Sequence, residues 1–130
     1  MGRQAVSELT HLLGRLRDKA LARAAFIVSE DGAMLRWDTE PGVSADALGS
    51  VAVRHIGGVE GLAGQLQTTE FGVVFHNSPT ENVYVAVLGR ELLLAVLFDE
   101  SRTSLGAVRL CVKAFRDEVI RVASDELPDE

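Results

Sequence analysis

Val83-Tyr84-Val85-Ala86-Val87-Leu88, then Gly89-Arg90-Glu91, then Leu92-Leu93-Leu94-Ala95-Val96-Leu97-Phe98: residues 83–98 hold two apolar runs split by one short link. Each run has the length of a strand, and each is apolar at every position rather than at every second one. A strand of that kind needs cover on both faces, so its sheet lies between two layers. A link this short joins antiparallel neighbours.

Working outward, strands are expected at about 82–88 and 92–98, with a third at about 70–76 across Asn77-Ser78-Pro79. In that third strand Phe71, Val73 and Phe75 alternate with Gly72, Val74 and His76, so apolar residues go to both faces. At a sheet edge it would offer an unpaired ladder to a second copy; an ordinary interior strand is the alternative. Residues 23–29 and 33–38 read as a hairpin turned at Glu30-Asp31-Gly32, with Leu35 and Trp37 on one face and Arg36 and Asp38 on the other.

Three helices complete the pattern. Residues 4–20 place Val6, Leu9, Leu13, Leu16 and Ala20 on one stripe, and residues 103–124 do the same with Leu105, Val108, Val112, Phe115, Val119 and Val122. These two pack side by side on one face of the sheet. A middle helix from about 45 to 66 covers the other face, with Ser44 as N-cap and Asp46 in its first turn. The expected fold class is therefore α/β: an α/β/α sandwich with a five-stranded antiparallel sheet, two helices on one face and one on the other. Length bounds this to one domain, residues 1–126, with 127–130 as a disordered tail.

Composition excludes several functions. With 13 Lys and Arg against 19 Asp and Glu, a formal charge of -6 opposes nucleic-acid binding, which demands a basic face. One cysteine, Cys111, permits neither an internal disulfide nor a multi-cysteine zinc site. The longest apolar run is far short of the ~20 residues that span a bilayer, and Met1–Ala5 has no signal-peptide core. A cytoplasmic protein with no membrane insertion is expected.

Catalytic chemistry is equally sparse. There is no Gly-x-x-x-x-Gly-Lys-Ser/Thr loop, and His11, His55 and His76 show no His-Glu-x-x-His spacing. His55 falls on the apolar face of the middle helix and reads as a buried, hydrogen-bonded histidine. Ser101, Thr103 and Ser104 precede a helix and read as caps. No catalytic residue, metal site or cofactor is expected, and the chain is read as a regulator rather than an enzyme.

The middle helix is the exception to this plainness. It contains Gly49, Gly57, Gly58, Gly61 and Gly64, each costing about 1 kcal/mol relative to alanine inside a helix. At 100° per residue Gly57, Gly61 and Gly64 cluster with Asp46, Ser50, Val53 and Glu60, opposite the buried stripe. Such a face is flat and lightly charged, and it admits another backbone closely. Packing against a symmetry-related helix and docking of a different protein both remain open on this pattern.

The element order, with Phe26-Ile27-Val28-Ser29-Glu30-Asp31-Gly32, Gly61-Leu62-Ala63, Glu70-Phe71 before Phe75-His76, and Leu97-Phe98-Asp99-Glu100-Ser101-Arg102-Thr103-Ser104-Leu105-Gly106-Ala107-Val108-Arg109-Leu110, resembles the Roadblock dynein-light-chain family. The resemblance covers about residues 5–125 and is strongest toward bacterial MglB-type GTPase-activating proteins. It implies a Roadblock/profilin-like fold and a homodimer joined edge to edge through Glu70, Phe71, Val73, Val74 and Phe75. It also implies that the paired middle helices receive a Ras-like small GTPase. Gly57 and Gly61 occupy matching positions, and geometry extends the patch to Ser50, Val53, Arg54 and Gly64.

By the same resemblance the protein stimulates GTP hydrolysis without inserting an arginine, so Arg54 and Arg102 are expected to be solvated or ion-paired. The alternative is a non-catalytic scaffold that links a GTPase or sensor kinase to signalling or motility components, with another Roadblock protein as a further partner. Members of the MglB type can carry a C-terminal extension after the last helix. This sequence stops at Glu130, and functions that depend on such an extension are not expected of it.

Overall fold

Ser7 lies in extended backbone (φ −79°, ψ 164°) and accepts a hydrogen bond from the Thr10 amide, so it caps the first helix rather than belonging to it. In this computed structural model, which describes residues 7–29, 32–53, 72–89 and 92–127, helix α1 is Glu8–Ala20. The other elements are β1 (Ala24–Ser29), β2 (Met34–Thr39), α2 (Ala45–Ala52), β3 (Val73–Ser78), β4 (Glu81–Gly89), β5 (Leu92–Phe98) and α3 (Leu105–Glu126). The order of elements is the expected one. Val6, Glu30 and Asp31 lie outside the described residues.

All strand pairings are antiparallel, and the five-stranded sheet runs β2-β1-β5-β4-β3. Apolar residues on both sides of β1, β4 and β5 divide by pleat. Ala25, Ile27, Tyr84, Ala86, Leu88, Leu94, Val96 and Phe98 face one core with Leu9, Leu13 and Leu16 of α1 and Val108, Val112, Val119 and Val122 of α3. Ala24, Phe26, Val28, Val83, Val85, Leu93, Ala95 and Leu97 face the other with Leu48, Val51 and Ala52 of α2. The α/β/α sandwich, two helices over one face and one over the other, follows from that division.

Three details differ from the sequence reading. Leu35 and Trp37 do not share a face. A bulge sets Val28 opposite Met34 and Ile27 opposite Arg36, leaving Leu35 as the extra residue. Leu35 therefore packs with the α1/α3 core, while Trp37, opposite Phe26, packs with the α2 core.

The strand expected at 70–76 is displaced to Val73–Ser78. Asn-Ser-Pro has the composition of a turn, yet Ser78 pairs with Glu81 and only Pro79 and Thr80 make the connection. Leu127, expected in the tail, is the C-cap of α3: it donates its amide to the Ala123 carbonyl and packs on the core.

Asn82 is the buried polar residue of the described chain, and its bonds are complete. Its Nδ2 donates to the carbonyls of Pro79 (3.0 Å) and Phe98 (3.4 Å), and its Oδ1 meets His76 Nδ1. That amide orientation assigns the His76 proton to Nδ1. His76 thus serves to hold the Asn82 side chain in place. Cys111 is half-buried against the α1/α3 core, consistent with a packed thiol.

Candidate functional site: the outer face of α2 and the free edge of the sheet

The entry to α2 is dictated locally. Pro41 fixes its own φ, and Gly42 takes φ +96°, the pairing that a type II turn requires. The turn closes with the Val43 amide on the Glu40 carbonyl at 3.3 Å. Ser44 then caps the helix, its Oγ accepting from the Ala47 amide at 3.0 Å, and Asp46 sits in the first turn.

Leu48, Val51 and Ala52 point inward from this start. Asp46, Ala47, Ser50 and Val53 are left exposed, Val53 by 61%. A Cβ added at Gly49 would meet nothing within 4 Å, so no packing within the described chain requires glycine there. Of the proposed partner-binding residues, Ser50 and Val53 lie together on this outer face. Arg54, Gly57, Gly61 and Gly64, and likewise His55, lie outside the described residues.

Strand β3 forms one end of the sheet, as an edge-to-edge pairing requires. Val74 and Phe75 are half-buried, Val74 toward the α1/α3 core and Phe75 toward the α2 core. The backbone of Val73 pairs with Val85. Glu70 and Phe71 lie outside the described residues.

The sequence pattern does not single out three other features. Gly72 donates its amide to the Tyr84 hydroxyl at 3.0 Å, and a Cβ there would lie 2.1 Å from the Val85 carbonyl oxygen. A glycine at the mouth of a strand is the signal for such close approach. Asn82 is foreshadowed only as a lone amide beside an apolar run.

The third feature is a charge cluster beside the α2 entry. Glu40 Oε1 accepts from Arg102 Nη1 at 2.8 Å, and its Oε2 from Arg23 Nε at 3.3 Å. Burial alone would raise the Glu40 carboxyl. Hydrogen bonds and charge from Arg102, then Arg23, outweigh it and hold the group below the usual glutamate range. Arg102 is therefore ion-paired, one of the two states expected for it.

The hydroxyls that precede α3 have local duties. Ser104 Oγ caps the helix, accepting from the Ala107 amide, and Ser101 donates both its amide and its hydroxyl to Asp99. The Asp99 carboxyl is lowered, chiefly by those Ser101 bonds. No group of three or more His, Cys, Asp or Glu side chains among the described residues is placed to hold a metal ion. No described helix is long and apolar enough to cross a membrane.

This sandwich, with its helix order and sheet order, is the fold of the Roadblock/LC7 proteins. A Roadblock/LC7 domain from Streptomyces avermitilis superposes with a TM-score of 0.65 at 16% identity, over 95% of this chain and 100% of that one. Within that class the chain resembles MglB. The Myxococcus xanthus MglB structure matches with a TM-score of 0.71 at 25% identity, over 94% of this chain and 99% of that one. The gliding protein MglB of Thermus thermophilus matches at 0.72 with 22% identity, over 95% and 94%. No family model matches the sequence, and no curated protein matches it.

Proposed function

We propose that this protein is a cytoplasmic, homodimeric regulator of an MglA-like, Ras-like small GTPase that binds its partner through the outer face of α2 and stimulates GTP hydrolysis. The observation that carries the reading is the α2 face itself: Ser50 and Val53 exposed beside a glycine whose missing side chain nothing in the described chain fills. Close approach by a second backbone accounts for small residues at such a position. The likeness to MglB structures supports an MglA-like GTPase as that partner.

Dimerisation is assigned to Val73, Val74 and Phe75 of β3 together with Glu70 and Phe71, which precede that strand in sequence. Stimulation works by favouring one arrangement of the GTPase switch segments, which needs only differential affinity for that state. It calls for no catalytic group from this chain. Cell polarity or gliding motility in a bacterium is the process this regulator serves.

Single-turnover GTP hydrolysis by a candidate GTPase, with and without this protein, tests the activity. The expected result is a faster rate that Val53→Arg abolishes while the variant stays folded. The alternative is a scaffold without rate effect, for which the shared Roadblock fold is equally suited. Stable binding with unchanged hydrolysis in either nucleotide state would select the scaffold.

A further inference from the structure

We infer that Arg23, Glu40 and Arg102 form a clamp that positions α2 for its partner and ties that helix to the β3–β4 turn, an inference that rests on the docking role of α2 given above. Glu40 is the first residue of the turn that delivers the chain to Ser44 and α2. Both its carboxylate oxygens are taken, one by each arginine, and its side chain is only 19% exposed. The turn is therefore fixed through Arg23 to the segment that enters β1, and through Arg102 to the β5–α3 loop.

Arg23 reaches in a second direction. Its Nη1 donates to the Thr80 carbonyl at 3.1 Å, in the turn that joins the edge strand β3 to β4. Its backbone is also held, with its amide on the Leu97 carbonyl (2.8 Å) and its carbonyl accepting from the Glu40 amide (2.9 Å). The Glu100 amide on the Pro79 carbonyl, at 2.9 Å, adds a parallel tie from the β5–α3 loop to the same turn. One guanidinium thus bridges the entry of the docking helix and the end of the proposed dimer strand.

The cluster is not needed to close a core. Leu48, Val51 and Ala52 already bury the inner face of α2. What the ion pairs add is direction, because Arg23 and Arg102 approach the carboxylate from different elements and leave its turn one seat.

The test uses the full-length protein with Glu40→Gln, Arg102→Met and Arg102→Lys. Hydrogen exchange read by mass spectrometry over residues 40–53 is expected to quicken about tenfold in the first two variants, with β4 and β5 unchanged. Arg102→Lys should restore slow exchange, because a single nitrogen makes the Glu40 contact. Affinity for a Ras-like GTPase carrying a GTP analogue should fall in step with exchange, while the dimer constant stays at its wild-type value.

Unchanged exchange over 40–53 would overturn the clamp whatever the GTPase does. Uniformly faster exchange across the sheet would also overturn it, by making the cluster a general stabiliser. If the wild-type protein binds no GTPase in either nucleotide state, the docking reading falls, and the exchange data judge the clamp separately.

Discussion

Strand β2 closes one edge of the sheet with Met-Leu-Arg-Trp-Asp-Thr, and β3 closes the other with Val-Val-Phe-His-Asn-Ser. The β2 edge is bent by the bulge at Leu35, and its two charges are tied down. Arg36 Nε meets Glu126 Oε2 at 2.6 Å and Arg17 Nε meets Asp38 Oδ2 at 2.6 Å. Glu126 also accepts the Leu9 amide at 3.1 Å, so one carboxylate joins β2, the start of α1 and the end of α3. β3 carries no Asp, Glu, Lys, Arg or proline. Bulges and inward charges are how sheets refuse a further strand. Both edges are irregular, since β3 shifts register between His76 and Ser78; what separates them is charge, which β2 carries and β3 does not.

The strongest way to break the contrast is to give β3 a charge. Val74→Lys is expected to turn the dimer into a monomer in analytical ultracentrifugation while circular dichroism keeps the wild-type signal. A dimer that persists would move the interface away from β3.

Next in size is Gly72→Ala, whose new Cβ collides with the Val85 carbonyl where β3 begins. A cost of about 3 kcal/mol in urea unfolding is expected. A wild-type midpoint would show that the approach relaxes freely.

On the guarded edge, Glu126→Gln should lower stability by about 2 kcal/mol, the scale of hydrogen bonds to a charged group. Its dimer constant should not change.

The same carboxylate sets a pH dependence. Burial would raise the Glu126 carboxyl, but hydrogen bonds from Ser7, Arg36 and the Leu9 amide prevail and lower it. A depressed carboxyl favours the fold in its charged form. That contribution is whole above the unfolded value of about 4.3 and is lost as pH falls through the lower folded value. Glu40 acts in the same sense. Stability measured downward from pH 5 should fall less steeply in Glu126→Gln than in the wild type.

The smallest effect expected is a gain. Leu21 ends α1 in the left-handed region at φ 56°, where a β-carbon is costly. Leu21→Gly should raise the unfolding free energy by about 1 kcal/mol.

How far these features can be read from sequence depends on the range of the interactions that make them. The doubly covered strands at 83–98, the caps Ser44 and Ser104 and the three-four stripes of α1 and α3 are local patterns, and they were legible. The bulge at Leu35 was not, because alternation in Leu-Arg-Trp-Asp gives no sign that one residue is extra. The end of β3 was obscured by Asn77-Ser78, because Ser78 pairs with Glu81 of β4 against its turn preference. At the candidate site the inner and outer faces of α2 follow from helical periodicity. The Arg23–Glu40–Arg102 cluster joins residues far apart in the chain, and no spacing rule connects them.

The sequence by itself determined the layered sandwich, because an apolar residue at every position of β4 and β5 leaves no face for water. Only the tertiary structure decided which edge is guarded and where α2 is anchored. Those depend on Arg36 meeting Glu126 and Glu40 meeting two arginines, encounters that exist once the sheet has brought distant segments to one place.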